Sequence, residues 1–194
     1  LIACMALSKR RALIAAANFY IAFMRGMPML VLIFILYFVM PLYLRKAGID
    51  SSRWSKDSFV IAALALSSAA NIAEMMRSAF LAVDRGQWEA AYSVGMGGFA
   101  AFRRIILPQA FGVAIPVLGN NVIGIFKSTS LAFSIGAVDI FGKAKLISNN
   151  LYGLNRAELY LGIAAVFWAV CLLLEQATRR AERMYAKGRK APAG

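Results

Sequence analysis

Long apolar runs separated by short polar and basic connectors dominate the pattern of this chain. A helix of eighteen residues rises about 27 Å, which is enough to cross a hydrocarbon core of about 30 Å. The pattern therefore predicts an all-α membrane protein with about five transmembrane helices. Because the chain begins at Leu1 inside an apolar run, we expect the first helix to be truncated at the N-terminus. The apolar runs cover residues 1–7, 12–44, 59–83, 109–126 and 159–174.

The second apolar run is long enough to hold two helices. Residues 12–26 predict an amphipathic helix, and residues 27–44 predict a membrane span. Pro28 then lies in the first turn of that span, where its missing N–H is not needed. Further along, residues 45–57 predict a polar loop, and residues 127–158 predict a partly helical surface segment.

The composition agrees with lipid as the main solvent and disfavours catalysis. Hydrophobic residues make up 61% of the 194 residues, against about half in a soluble domain. Histidine is absent, and the two cysteines, Cys4 and Cys171, lie in apolar runs. The sequence thus lacks the commonest general base and any spacing typical of a metal site or a disulfide framework. We expect no catalytic and no metal-ligating residues, and an intramembrane enzyme is the disfavoured alternative.

The basic residues predict an orientation and a partner surface. The net charge is +13, and no nucleic-acid-binding motif accompanies it, so we expect an anionic lipid membrane as partner and no nucleic acid. One side of the membrane carries twelve cations: Lys9, Arg10, Arg11, Arg85, Arg103, Arg104, Arg179, Arg180, Arg183, Lys187, Arg189 and Lys190. The other side carries four: Arg45, Lys46, Arg53 and Lys56. The positive-inside rule places the first side in the cytoplasm.

This orientation divides the chain into two parts. We expect a transmembrane domain over residues 1–180, with a cytoplasmic loop over residues 84–108, and a basic cytoplasmic tail over residues 181–194.

The cytoplasmic loop contains a short helical pattern that is too polar to cross a membrane. Residues 87–94 are good helix formers, and Gly95 suits a left-handed helix end. A second apolar-periodic piece follows over residues 99–106, and we expect Pro108 to close it. Two turns of helix are marginal alone in water. Either a lipid surface or the groove of a soluble partner provides the missing contact, and the residues alone leave both alternatives open.

The same loop carries a family signature. The stretch EAAYSVGMGGFAAFRRIILP, residues 89–108, strongly resembles the loop of permease subunits of ATP-binding-cassette importers. Residues 25–41, RGMPMLVLIFILYFVMP, and residues 107–131 are similar to the polar-amino-acid branch of that family. The resemblance covers nearly all of residues 8–180, and it implies a type I importer permease fold. The positions that carry the loop signature are Glu89, Ala90, Ala91, Gly95, Ile105, Leu107 and Pro108.

The resemblance also implies roles and partners. The short helix is expected to be a coupling helix, with Glu89 as a polar anchor, Ala90 and Ala91 allowing close approach, and Gly95 permitting a sharp turn. The implied partners are a dimer of ATP-binding ATPase subunits, a second permease of the same or a homologous chain, and an extracytoplasmic substrate-binding protein. This chain is expected to bind no cofactor, because ATP and Mg²⁺ belong to the partner ATPase. The implied location is the inner (plasma) membrane, as a multi-pass protein with a cytoplasmic C-terminus.

Polar groups inside apolar runs are candidates for a substrate pathway, because ionisable side chains are costly in lipid. Glu74 and Arg77 are spaced to pair with each other, which is the alternative to a role in the pathway. Asn120 and Asn121 fall near the middle of a span, or they join helices by hydrogen bonds. The last candidates lie at the outer end of that span, where they either hold an amino-acid carboxylate or end the helix with a snorkelling lysine: Lys127, Ser128, Thr129 and Ser130.

These features predict a transport subunit: a permease that moves a polar or charged amino acid, energised by separate ATPase subunits. Two alternatives stay open. One is a permease of the same type for another amino-acid-derived solute, such as an opine or a cystine-like compound. The other is a membrane module that recruits a soluble ATPase without transport.

Overall fold

The computed structural model describes residues 1–8, 10–150 and 156–189, and these residues form helices joined by short connectors. Lys9 and Lys190 of the basic set lie outside the described residues. The α-helices are α1 (Ile2–Ala6), α2 (Arg11–Gly26), α3 (Met29–Phe34), α4 (Met40–Lys46), α5 (Lys56–Leu81), α6 (Gly86–Ser93), α7 (Gly98–Ala101), α8 (Leu107–Ser128), α9 (Ile140–Asn150) and α10 (Arg156–Arg189). Two π-helical turns, Ile35–Val39 and Phe102–Ile106, and a 3₁₀ helix, Thr129–Ile135, complete the described chain.

Four helical stretches in the described part of the chain are long and apolar enough to cross a membrane. They agree with the four complete spans expected from the sequence and confirm an all-α membrane protein. Their bounds are Met29–Lys46, Lys56–Leu81, Gly98–Ile135 and Ala157–Ala186.

The chain divides into two compact units. The first unit comprises Leu1–Ile21, Ala70–Val122 and Leu174–Gly194. The second unit comprises Ala22–Ala69 and Ile123–Leu173.

A ladder of small and medium side chains forms the core of the first unit. Met75, Ala79 and Val83 lie four residues apart at the end of α5 and just beyond it. Ile106, Ala110 and Ala114 repeat the same spacing where α8 begins. A spacing of four places each set on one helix face. Half of the ladder is alanine, so this core is built largely from small side chains.

The second unit has its own core around α3 and the start of α5. The ring of Tyr37 meets the ring of Phe59 edge-on at 5.5 Å between centroids. The buried side chains come from α3 and its π turn, from the first turns of α5, and from the 3₁₀ helix and the residues after it: Leu32, Ile33, Leu36, Phe59, Val60, Ala63, Ala132, Ile135 and Ala137.

The expectation that Pro108 closes a helix is wrong. Helical backbone continues from Gly98 through Pro108 into α8. A proline ring normally clashes with the carbonyl four residues earlier. Here the wider π turn Phe102–Ile106 ends two residues before the proline and displaces that carbonyl. Pro41 follows the π turn Ile35–Val39 at the same distance, whereas Pro116 lies within α-helical backbone.

The last helix is longer than the span that the sequence predicts. α10 runs unbroken from Arg156 to Arg189, which is about 50 Å at 1.5 Å per residue. The described part of the basic tail therefore continues the last helix. The division at residue 180 stays a prediction.

We expect Ile33→Ala to lower the free energy of unfolding by about 2–5 kcal/mol, because Ile33 is fully buried in the core of the second unit. Ile61→Ala removes the same atoms from a side chain that is 65% exposed and serves as the matched control. Thermal unfolding in detergent measures both. Equal losses in the two variants would contradict this description of the core.

Candidate functional site

The short helix α6 is defined at both ends by local hydrogen bonds. Asp84 Oδ1 accepts from the backbone N–H of Gly86 at 2.6 Å, which satisfies a free donor at the start of the helix. At the other end Gly95 has a φ of +78°. The N–H groups of Gly95 and Met96 donate to the carbonyls of Tyr92 and Ala91, both at 3.0 Å. This pairing is a Schellman motif, and its left-handed position favours glycine.

One face of α6 is fixed to the first unit. Ala91 is buried, and Trp88 packs against the core ladder of α5 and α8. Gln109 Nε2, near the start of α8, donates to Gln87 Oε1 at 2.9 Å. The helix is therefore attached by packing and by a hydrogen bond to the segment that follows it.

The opposite face of α6 is exposed and mixed in character. Glu89 and Ala90 are exposed, and the Glu89 carboxylate has no hydrogen bond or ion pair within the described residues. Tyr92 is half exposed, and Val94, directly after α6, and Phe99, in α7, are each 76% exposed. A carboxylate bordered by exposed apolar side chains has the composition of a docking surface. We call Glu89, Ala90, Tyr92, Val94 and Phe99 the α6 surface.

The remaining residues of the loop signature face inward. Ile105 packs against the core ladder of the first unit. Leu107 and Pro108 are half-buried at the start of α8. These three positions join the α6 segment to its span, whereas Glu89 and Ala90 are directed outward.

Two contacts between α8 and α10 were not predicted from the sequence. The hydroxyl of Tyr185 donates to the backbone carbonyl of Pro108. Eleven residues further along α8, a Cβ added at Gly119 would lie 2.7 Å from Thr178 Cβ, so the helices touch there. Pro108 precedes Gly119 on α8, whereas its partner Tyr185 follows Thr178 on α10. The two helices are therefore antiparallel over this stretch. We call these two contacts the α8–α10 clasp; residues so distant in sequence leave no local signal.

Glu74 and Arg77, predicted for the substrate pathway, form a bidentate ion pair in the first unit. Arg77 Nε and Nη2 lie 2.9 and 2.6 Å from the two Glu74 carboxylate oxygens. This is the pairing that their spacing predicts, and it offsets the cost of two charges at an apolar depth. In the same unit Asn120 is exposed and Asn121 is half-buried. A pathway role for these four residues stays a prediction.

In the second unit, Lys127 and Ser130 line a cavity of 340 Å³. The lysine has no ion pair within the described ranges. The hydroxyls of Ser128, Thr129 and Ser130 donate to the carbonyls of Gly124, Phe126 and Lys127 at 2.9, 2.7 and 2.8 Å. The ammonium group of Lys127 is thus the charged group among cavity-lining side chains that are otherwise mostly apolar. The other lining residues are Phe141, Tyr160, Ile163, Ala164 and Phe167.

Comparisons with known proteins agree with this architecture. The model of the family described as "Binding-protein-dependent transport system inner membrane component" matches residues 1–186. The L-cystine transport system permease protein TcyL of Bacillus subtilis is 44% identical over 172 residues, covering 88% of this chain and 71% of that protein. The probable amino-acid permease protein YxeN of Bacillus subtilis is 41% identical over 157 residues, covering 81% of this chain and 67% of that protein.

A solved structure shares the fold. It is titled "Crystal structure of an amino acid ABC transporter with histidines". This chain is 33% identical to it in sequence, with a TM-score of 0.81, covering 94% of this chain and 81% of that chain.

The fold and its docked short helix define the class of protein: a multi-pass inner-membrane permease with the type I importer fold. The chain belongs to the family of binding-protein-dependent transport system inner membrane components. It is a permease subunit of an ATP-binding-cassette importer, and it acts as a transport component. The resemblance seen in residues 89–108 is thereby confirmed.

We expect Gly119→Ala to lower the thermal stability of the purified subunit, because the new methyl group overlaps Thr178 across the clasp. Overpacking of this kind costs about 1–3 kcal/mol. The double variant Gly119→Ala with Thr178→Gly regains part of that loss, because it removes the overlapping side chain. Gly124→Ala on the same helix is the control, since its Cβ position is open. If Gly119→Ala and Gly124→Ala have the same melting temperature, and Thr178→Gly restores no stability to Gly119→Ala, the α8–α10 clasp does not exist.

Proposed function

We propose that α6 is the coupling helix through which a separate ATPase subunit drives this permease. The observation that carries the proposal is the exposed Glu89 carboxylate, which has no partner within the described chain, on a helix whose other face is packed. The exposed side chains of Tyr92 and Val94 supply apolar contacts beside it. A cleft on the ATPase that offers an N–H or a guanidinium completes the pairing.

The rigidity of the first unit supports a mechanical role for this helix. α6 packs on the ladder that joins the end of α5 to the start of α8. When ATP binding closes an ATPase dimer, two such helices move together, and each carries its α5 and α8 with it. The spans tilt, and the pathway opens to the outside. In this proposal ATP, Mg²⁺ and hydrolysis stay on the partner chains, and this chain contributes no catalytic residue.

The remaining parts of the assembly belong to the same proposal. A second permease, identical or homologous, completes the pathway, and an extracytoplasmic binding protein delivers the solute. In this proposal that loop and the C-terminus lie in the cytoplasm, and the excess of cations on the α6 side supports this orientation.

We propose a polar or charged amino acid as the transported solute, because the relatives named above act on cystine or on amino acids. The cavity beside Lys127 supports this assignment. One ammonium group at an apolar, aromatic wall fits a carboxylate attached to a partly apolar molecule. A cystine-like compound or an opine satisfies the same description and is the alternative within the class.

The variant Glu89→Ala tests the coupling helix. Truncating one partner of a desolvated charge pair costs about 2–5 kcal/mol, so we expect the ATPase subunit to bind at least about thirtyfold more weakly. Solute uptake and ATP turnover in proteoliposomes fall together. Adding Gly95→Leu deepens the loss, because leucine at a φ of +78° distorts the end of α6.

Glu158→Ala is the matched control, since it removes an exposed carboxylate in the first turn of α10, which belongs to the second unit. Unchanged uptake and ATP turnover in the Glu89 and Gly95 double variant would remove the coupling role. If ATP turnover persists in the unmodified complex while no solute is ever taken up, the chain is a recruiting module without transport.

Lys127→Gln tests the cavity. A charge-assisted hydrogen bond contributes about 1.5–3 kcal/mol, so we expect uptake at subsaturating solute to fall at least about tenfold. ATP turnover without solute is unchanged, because α6 is untouched. Lys143→Gln is the control, since Lys143 is an exposed lysine of the same unit that does not line the cavity. If the two lysine variants transport equally well, the cavity is not a solute site.

A further inference from the structure

A cleft of 290 Å³ lies on the C-terminal part of α10. It is lined by Gln176, Arg179, Arg180 and Arg183. The spacing of three, four and seven residues places all four side chains on one helix face, and all four are exposed. The face therefore presents three guanidinium groups and an amide to a single opening.

Two of the three guanidinium groups have no counter-charge. Arg179 Nη2 pairs with Glu175 Oε1 at 2.7 Å. Neither Arg180 nor Arg183 has an ion pair anywhere in residues 1–8, 10–150 and 156–189. Glu175 and Glu182 are seven residues apart and lie together on a neighbouring face. The cleft thus has a local excess of positive charge that no ion pair within the described part of the chain neutralises.

The position of the cleft along α10 relates this charge to the membrane. Leu174 is the last residue of the long apolar run. At 1.5 Å per residue, Arg180 lies about 9 Å and Arg183 about 14 Å beyond it. Side chains on a helix lean toward its N-terminus, which here is toward the lipid. The guanidinium groups therefore reach back into the headgroup layer, which is about 5–8 Å deep on each side of the hydrocarbon.

An exposed apolar side chain lies on the same helix face, on the side of the cleft toward the apolar run. Leu173 lies one turn before Gln176 and two turns before Arg180, and it is 65% exposed. A ligand that fills both regions needs an anionic head and an apolar chain. A planar guanidinium binds phosphate with two parallel hydrogen bonds, and anionic headgroups attract basic residues at this depth.

We propose that this face of α10 binds the phosphate of an anionic phospholipid, with an acyl chain along Leu173. An acidic protein surface would use the guanidinium groups but leave Leu173 without a role. The tightest contact is expected from Arg180 and Arg183, because Arg179 is already paired with Glu175. The lipid joins α10 to the bilayer beside the α8–α10 clasp.

The test uses the detergent-purified importer complex and native mass spectrometry. The complex is titrated with phosphatidylglycerol and, separately, with phosphatidylcholine. We expect the anionic lipid to bind at least about tenfold more tightly than the neutral one. The double variant Arg180→Gln with Arg183→Gln loses most of this preference, by about tenfold. Arg45→Gln with Arg53→Gln removes the same charge from another segment and keeps the preference.

Three results would overturn the proposal. In the first, both double variants lose the preference equally, so that net charge alone accounts for binding. In the second, inorganic phosphate at the lipid concentration displaces the lipid completely, so that the site holds a free anion. In the third, the Arg180 and Arg183 variant keeps its lipid but loses the ATPase subunit, so that the face contacts protein. Unchanged thermal unfolding of each variant shows that the fold is intact.

Discussion

The packing of the end of α5 against the start of α8 provides the surface on which the short helix α6 lies. Two turns of helix are marginal alone in water. α6 is stabilised because Trp88 packs on the ladder that includes Ala79 and Ala110, and because Ala91 is buried. The ladder joins the two spans and forms the surface on which Trp88 packs. An isolated loop with the same sequence would have no such surface.

Continuity of the backbone extends this constraint into the membrane. α7, the π turn Phe102–Ile106 and α8 form one helical path, so the residues after α6 and the following span belong to one element. The Pro108 carbonyl also accepts a hydrogen bond from Tyr185, and Gly119 meets Thr178 further along. α8 is therefore held by α5 through the ladder and by α10 through the clasp.

The ionisable side chains of Glu74, Arg77 and Lys127 are arranged in two different ways. Glu74 and Arg77 neutralise each other within one helix turn through two short hydrogen bonds, which reduces the cost of burying either. Lys127 instead projects at a cavity with aromatic walls, and its neighbouring hydroxyls are occupied by backbone carbonyls. A paired charge stabilises the span in which it lies.

The sequence by itself determined the four spans, the position of α6 and its glycine stop, because apolar runs, helix propensity and a left-handed glycine act through near neighbours. The family could also be identified from the sequence, through the loop signature in residues 89–108. The sequence pattern predicted that a helix ends at Pro108, and this prediction was wrong. It did not indicate the π turn Phe102–Ile106, through which the helical backbone continues. Tertiary structure alone decided that Tyr185 meets Pro108, that Thr178 meets Gly119, and that Lys127 faces a cavity. These contacts join residues far apart in the chain, and their energy depends on helix packing that local sequence does not encode.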